Sequence, residues 1–348
     1  MSASFTATAG TVTSSQAATV TTSLNGSSAT ASVMVNSATT GTTATIGYVQ
    51  GNSAVPQTPQ TKVTVPFTAA QAAGDLNVVV VGWNDSNATV SAVQDTKGNV
   101  YTLAVGPTIV SGSASQSIYY AQNIAAATAG ANSVTVTFSA AAAYPDIRIV
   151  EYRGADPNSP LDVTAAGSGN SNTSSTAAVT TTYPSDLLLA ANLVGTSTSA
   201  AGSGFTSRMV TNPDGDIVED RMVTATGSYS ASAQLSSSGF WIMQMVAFKA
   251  AGASPNPPTA PGSLTAAAAS TSQINLSWTA STSTVGVANY LVQRCQGAGC
   301  SSFSQIGTAT STTYSDTGLT AGTSYSYRVL AADKSGTQGG FSNTASAT

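Results

Sequence analysis

Three observations predict an all-β chain: scarce charge, short apolar and polar alternation, and almost no helical periodicity. Only 7% of the 348 residues are charged, against about a quarter in an ordinary soluble domain. Ser, Thr, Ala, Gly and Val dominate instead. Only Ala69–Ala73 and Ala140–Ala143 are candidates for a short turn of helix. With 41% hydrophobic residues in regular alternation, the chain can bury a core, and its length allows two or three domains.

Residues 1–42 read as alternating Thr, Ala and Val strands. Ala17–Leu24 leads into Asn25-Gly26, a strong hairpin turn, and then into Ser28–Val35. These residues resemble the closing strands of a bacterial immunoglobulin-like repeat, here only a partial one. An isolated hairpin is marginal in water, so this segment is expected to pack on the next domain, to complete a neighbouring chain, or to be the remnant of a longer protein. Met1-Ser2-Ala3-Ser4 has neither the charged start nor the apolar core of a secretory signal. The expectation is that a signal has been removed or that export follows another route.

Residues 43–251 contain an internal repeat. Lys62–Phe67 followed by Gly74–Gly82 is echoed by Ala178–Tyr183 followed by Ser185–Asn192, and Ile147–Arg153 is echoed by Ile242–Lys249. Two related halves of about four strands each predict a jelly-roll-like β-sandwich made from two Greek keys. The segment is similar to jelly-roll modules that accompany immunoglobulin-like and fibronectin repeats in large secreted bacterial proteins.

A linker over 252–261, rich in proline, separates this region from residues 262–348. There Leu276-Ser277-Trp278, Tyr290–Arg294 and Leu319–Val329 resemble a bacterial fibronectin type III module. The resemblance implies a β-sandwich with Trp278 in its core and Tyr325 as its tyrosine corner. It also implies an extracellular or cell-surface setting. Ser283-Thr284 stand where Asp and Asn are usual in that family, which puts any cation or hydrogen-bonding role of their loop in doubt. Cys295 and Cys300 enclose a glycine-rich spacer suited to a hairpin tip. They read as a disulfide or as two free thiols; the disulfide is preferred and implies an oxidising compartment. Two thiolates supply too few ligands for zinc.

The chain has no histidine, which removes Ser-His-Asp and Cys-His nucleophile activation and histidine metal ligation. Glycoside hydrolysis needs two facing carboxylates, and the only glutamates are Glu151 and Glu219. No catalytic residues and no required cofactor are assigned. The densest acidic stretch, Asn212–Arg221, offers Asp214, Asp216 and Asp220 as candidate calcium ligands. Pro213-Asp214-Gly215 is also ordinary turn chemistry, with Arg221 available to pair with the acids. Trp83, Asn84 and Asp85, at the end of the most apolar strand, are candidate carbohydrate contacts if Trp83 is exposed; Trp241 and Tyr229 offer the same. Core positions are the competing reading for both tryptophans. Tyr119 and Tyr120 point to opposite faces of one strand, so only one of them can be core. Asn84 and Asn275 head Asn-x-Ser/Thr sequons that matter only in a eukaryotic secretory route. Lys249 is the one lysine placed for a covalent cross-link, with no assignable partner.

A net charge of −4 with ten Lys and Arg argues against nucleic acid, and no apolar run reaches the length of a membrane span. The expected function is a non-catalytic extracellular structural or adhesive protein, assembling as a homo-oligomer or head-to-tail fibre. The alternative is a carbohydrate-binding, lectin-like module directed at a polysaccharide or cell-surface glycan. A glycoside hydrolase is disfavoured, and a virion structural protein also fits.

Overall fold

The computed structural model describes residues 44–253 and 255–348, together with the backbone of an antiparallel strand pair, β1 (Gln16–Leu24) and β2 (Ser27–Val35). The Asn25-Gly26 turn, most of the expected partial immunoglobulin-like segment, and Ser254 of the expected linker lie outside the described residues. All described elements are strands. Ala140–Ala142 belong to a strand, and Ala69–Ala73 form no helix, because Gln71 bridges to Ala127. Alanine's helix propensity yields here to strand pairing.

The first half runs through β3 (Gly47–Ala54), β4 (Gln60–Pro66), β5 (Leu76–Trp83), β6 (Val90–Asp95), β7 (Thr102–Val110), β8 (Ala114–Ala121), β9 (Ser133–Ala142) and β10 (Asp146–Arg153). They form a sheet in the order β3-β10-β5-β8-β7 and a second in the order β4-β9-β6. This is a jelly-roll arrangement complete within the half. The second half repeats it with β11 (Leu161–Ser175), β12 (Val179–Thr180), β13 (Asp186–Val194), β14 (Thr198–Ala200), β15 (Thr206–Val210), β16 (Ile217–Val223), β17 (Ser228–Tyr229) and β18 (Ser232–Lys249). Its large sheet runs β11-β18-β13-β16-β15, with β14 also on β18, and a small sheet pairs β12 with β17. Each half therefore carries eight strands and closes its own sandwich, where the sequence repeat suggested about four.

The large sheets of the two halves pack face to face. Val78, Val80, Ile118, Val150 and Tyr152 meet Leu187, Leu189, Val218, Val246 and Phe248 in one core. The opposite faces of β5 and β10 cover the first sandwich's own core, with Val79, Val81, Ile147 and Ile149 buried. Leu188, Ala190, Met245 and Ala247 do the same in the second. Strands buried on both faces read as continuous apolar runs. That is why Val78–Val81 and Leu187–Ala190 lack alternation.

The C-terminal sandwich comprises β19 (Gly262–Ser270), β20 (Gln273–Thr279), β21 (Val287–Gln296), β22 (Ser304–Ala309), β23 (Thr313–Thr317), β24 (Tyr325–Asp333), β25 (Gln338–Phe341) and β26 (Ala345–Ala347). Sheet β19-β20-β23 faces sheet β22-β21-β24-β25, with β26 also on β24. Trp278 packs edge-on against Tyr290 with ring centroids 5.3 Å apart, and Thr320 N–H donates to the Tyr325 hydroxyl at 3.1 Å. Cys295 and Cys300 are joined as a disulfide. Between the sheets, Asp316 accepts from the buried Tyr327 hydroxyl at 2.8 Å and takes both carboxylate contacts from Arg294. Asp316→Ala orphans both donors, so this domain is expected to lose about 2–3 kcal/mol, read as a lowered calorimetric transition.

Candidate functional site

Trp83 is only 2% exposed, packs edge-on against Phe138, and donates its indole N–H to Ala88 O at 3.1 Å. It is a core residue, because its strand is covered on both faces, and it offers no stacking face. Asp85 caps its own loop, accepting from Asn87 and Ala88 N–H and from Ala143 N–H, each at 2.8 Å. Burial pushes this carboxyl up, yet the three backbone donors outweigh burial and hold it below the ordinary value. Asn84 donates its backbone N–H to Ala143 O. Trp241 is also buried, with its indole N–H on Ser171 Oγ at 2.9 Å.

The half-buried aromatic that lines a groove here is Tyr119. Alternation along β8 sends Tyr120 into the core between the halves and Tyr119 to the opposite face, half-buried at the edge of the first sandwich's own core. Two adjoining depressions, about 250 and 290 Å³, share Val90 and Tyr119 and form a groove between β6 and β7. Ser86, Ser91, Gln94, Ser117 and Tyr101 line its walls, with no charged side chain. The Tyr101 hydroxyl donates to Asp95 at 3.1 Å and accepts from Asn77 at 3.2 Å, so its ring is fixed. A larger polar cleft of about 480 Å³ opens beside Tyr120. It is lined by the amides of Asn99, Gln122, Asn123 and Asn158 and is also free of charged side chains.

The acidic candidates divide. Asp216 directly precedes β16 and Asp220 lies within it; at the strand's rise they are roughly 13 Å apart, too far for one cation. Asp220 instead accepts from the Tyr152 hydroxyl and from Arg208 Nε, both at 2.7 Å. Arg221 pairs with none of these acids; its guanidinium lies 5.7 Å from the Tyr229 ring centroid. Asp220 therefore leaves the predicted metal set. Asp214 and Asp216 keep company with a residue the sequence did not suggest, Asp146 of the first sandwich: one carboxylate oxygen from each lies within 4.8 Å of the other two. The turn between them needs Gly215, whose φ is 79° and where a Cβ would sit 2.6 Å from Ser197 Cβ.

Other buried carboxyls of the two jelly rolls lie in the interior. Glu151 is fully buried and receives Gln50 Nε2 at 2.6 Å. Burial and the neighbouring Asp75 keep this pair holding a proton above the ordinary carboxyl range. The repeat position of Asp75 is Asp186, which faces Asp162. Burial and that carboxylate push Asp186 up to about 8. Burial pushes Glu219 up to about 7 despite the Gly202 N–H it accepts at 2.7 Å. None of these groups opens to a groove where a substrate could sit.

Residues 258–348 match the fibronectin type III domain family, and the C-terminal sandwich is a fibronectin type III domain of the kind found in bacterial proteins. The chain is similar to an alpha-amylase of Niallia circulans, 42% identical over 91 residues, covering 26% of this chain and 6% of that protein. It is similar to chitinase C of Streptomyces lividans, 47% over 76 residues, covering 22% and 11%. Exoglucanase B of Cellulomonas fimi matches at 44% over 79 residues, covering 23% and 7%. The chain thus spans 6–14% of the length of such curated relatives. Among solved structures, a Fn3-like protein from Clostridium thermocellum is 34% identical, covering 26% of this chain and 92% of that one, with a TM-score of 0.23. The match is to a non-catalytic module. Among the described residues, no helix is long and apolar enough to cross a membrane.

Proposed function

We propose that this chain is a non-catalytic, polysaccharide-associated part of a secreted bacterial protein. The paired jelly rolls contact a neutral glycan, and the fibronectin type III domain serves as a spacer. The observation that carries this reading is the 42–47% identity shared with an alpha-amylase, a chitinase and an exoglucanase. The groove supports it. A neutral sugar presents apolar C–H faces and hydroxyl edges, and Tyr119 supplies an aromatic face beside serine hydroxyls and the Gln94 amide. A concave site with few polar groups on a rigid scaffold suits ligand binding. Tyr119→Ala is expected to weaken binding to the preferred insoluble polysaccharide about tenfold, the loss of roughly one aromatic contact. Unchanged binding in that variant places the contact elsewhere, with the amide-lined cleft next in order.

A structural or adhesive role is the second reading. It is favoured by β1 and β2, which among the described residues pair only with each other and leave strand edges for another chain. A monomer in concentrated solution, with no ordered fibres by electron microscopy, speaks against it.

A further inference from the structure

The contact between the two sandwiches holds an imbalance of charge at one end. Asp146 and Asp216 are both 0% exposed, as is Arg148, while Asp214 at the mouth of the cluster is half-buried. Arg148 is held by an ion pair and three hydrogen bonds. Nε is ion-paired with Asp146 Oδ1 at 2.9 Å, Nη1 donates to Asn192 O and Ile217 O at 2.7 and 2.9 Å, and Nη2 donates to Gln116 Oε1 at 3.1 Å, while Asp146 Oδ2 accepts from the Thr211 hydroxyl at 2.6 Å. One guanidinium faces three carboxyl groups here, two of them fully buried.

A second observation points to what completes it. Asp216 Oδ1 accepts Val194 N–H at 2.8 Å, but Oδ2 is buried with no hydrogen-bond partner, on a side chain that faces Asp146. Buried polar atoms are nearly always satisfied, so this oxygen, like Asp146 Oδ1, calls for a partner: a cation, or a proton shared with Asp146. Gln57, from the first sandwich, donates Nε2 to Asp214 Oδ1 at 2.9 Å. Its amide therefore stands beside the cluster, where the opposite rotamer presents an oxygen.

We propose that Asp146, Asp214 and Asp216 bind one divalent cation of the calcium class, which fastens the first sandwich to the second. The donor set is all oxygen, as calcium takes. Ligand atoms within 4.8 Å of one another can share an ion at the usual calcium–oxygen distances of about 2.3–2.6 Å. The cation is structural, and its presence is independent of glycan binding.

The test compares melting of the full chain at pH 7.5 after chelation with melting in excess calcium chloride, and titrates calcium calorimetrically. Calcium is expected to raise the melting temperature by about 5 °C, with one ion per chain and a smaller effect from magnesium. Asp214→Asn is chosen because Asp214 is half-exposed and its loss leaves the cores intact. It is expected to keep the melting temperature of the chelated protein and to weaken calcium binding at least about tenfold. Indifference of the wild type to calcium overturns the proposal, as does an equal calcium shift in Asp214→Asn. Stabilisation that comes only from acidification, with calcium inert, also overturns it and assigns the cluster to shared protons.

Discussion

Arg148→Ala is expected to lower the melting temperature of the chain by about 10 °C. Arg148 is fully buried where the two large sheets meet; it donates to two backbone carbonyls of the second sandwich and to Gln116, and is ion-paired with Asp146. Removing one member of a buried ionic network costs about 3–5 kcal/mol, because the partners stay buried and uncompensated. At about 2–4 °C per kcal/mol for a domain of this size, the shift is large. Gln116 and Gln244 extend the same network: Gln244 Nε2 donates to Gln116 O at 2.9 Å and Gln116 Nε2 to Ala191 O at 3.0 Å. Combining Arg148→Met with Asp146→Asn is expected to recover part of the loss, since both charges then leave together. A single variant melting within about 2 °C of wild type would show that the network does not hold the halves together.

The second large effect is a fall in stability as pH rises. Asp186 at about 8 and Glu219 at about 7 are raised by burial well above their unfolded values of about 3.9 and 4.3. The native state therefore binds more protons than the unfolded chain across this range. The stabilisation is complete below about pH 4 and is lost progressively as pH climbs through about 7 and then 8. The Asp75–Glu151 pair acts in the same direction. Asp85 and Asp156 act oppositely: burial pushes each up, but backbone donors, joined by Lys249 at Asp156, hold both below the ordinary value. Their contribution is present above pH 4 and falls away in stronger acid, so the optimum lies in mild acid. Melting temperature in chelator is expected to be about 10 °C higher at pH 5 than at pH 8.5, with the slope reduced in Asp186→Asn. A flat or rising profile between those values would contradict this assignment of buried, protonated carboxyls.

Much of the architecture was legible because both faces of the central strands are buried. Val78–Val81 and Leu187–Ala190 announce such strands, and Trp278 with Tyr325 announces the fibronectin sandwich. Closure of each half on its own was not legible. The strands that close the second sandwich are β12 and β17, two residues each, and the Ser- and Asn-rich end of β11, none with an apolar pattern to read. The acidic cluster was half legible. Asp214 and Asp216 sit on one tight turn, but Asp146 reaches them only through packing between halves, which no local spacing records. Asp220 failed as a ligand because the rise of the strand carries it away from Asp216. Trp83 was open to two readings, since the end of an apolar strand can be open or covered; the core reading holds, with β9 supplying Phe138 as the cover. Tyr119 and Tyr120 had to face opposite ways, but alternation did not say which was core, and both faces of β8 are covered, Tyr119's only in part.

The most direct measurement is co-sedimentation of the full chain with insoluble chitin, cellulose and starch at moderate salt. Depletion from the supernatant on at least one of them, reduced in Tyr119→Ala, is the predicted result. A folded chain that stays in the supernatant with all three would contradict the polysaccharide-associated reading.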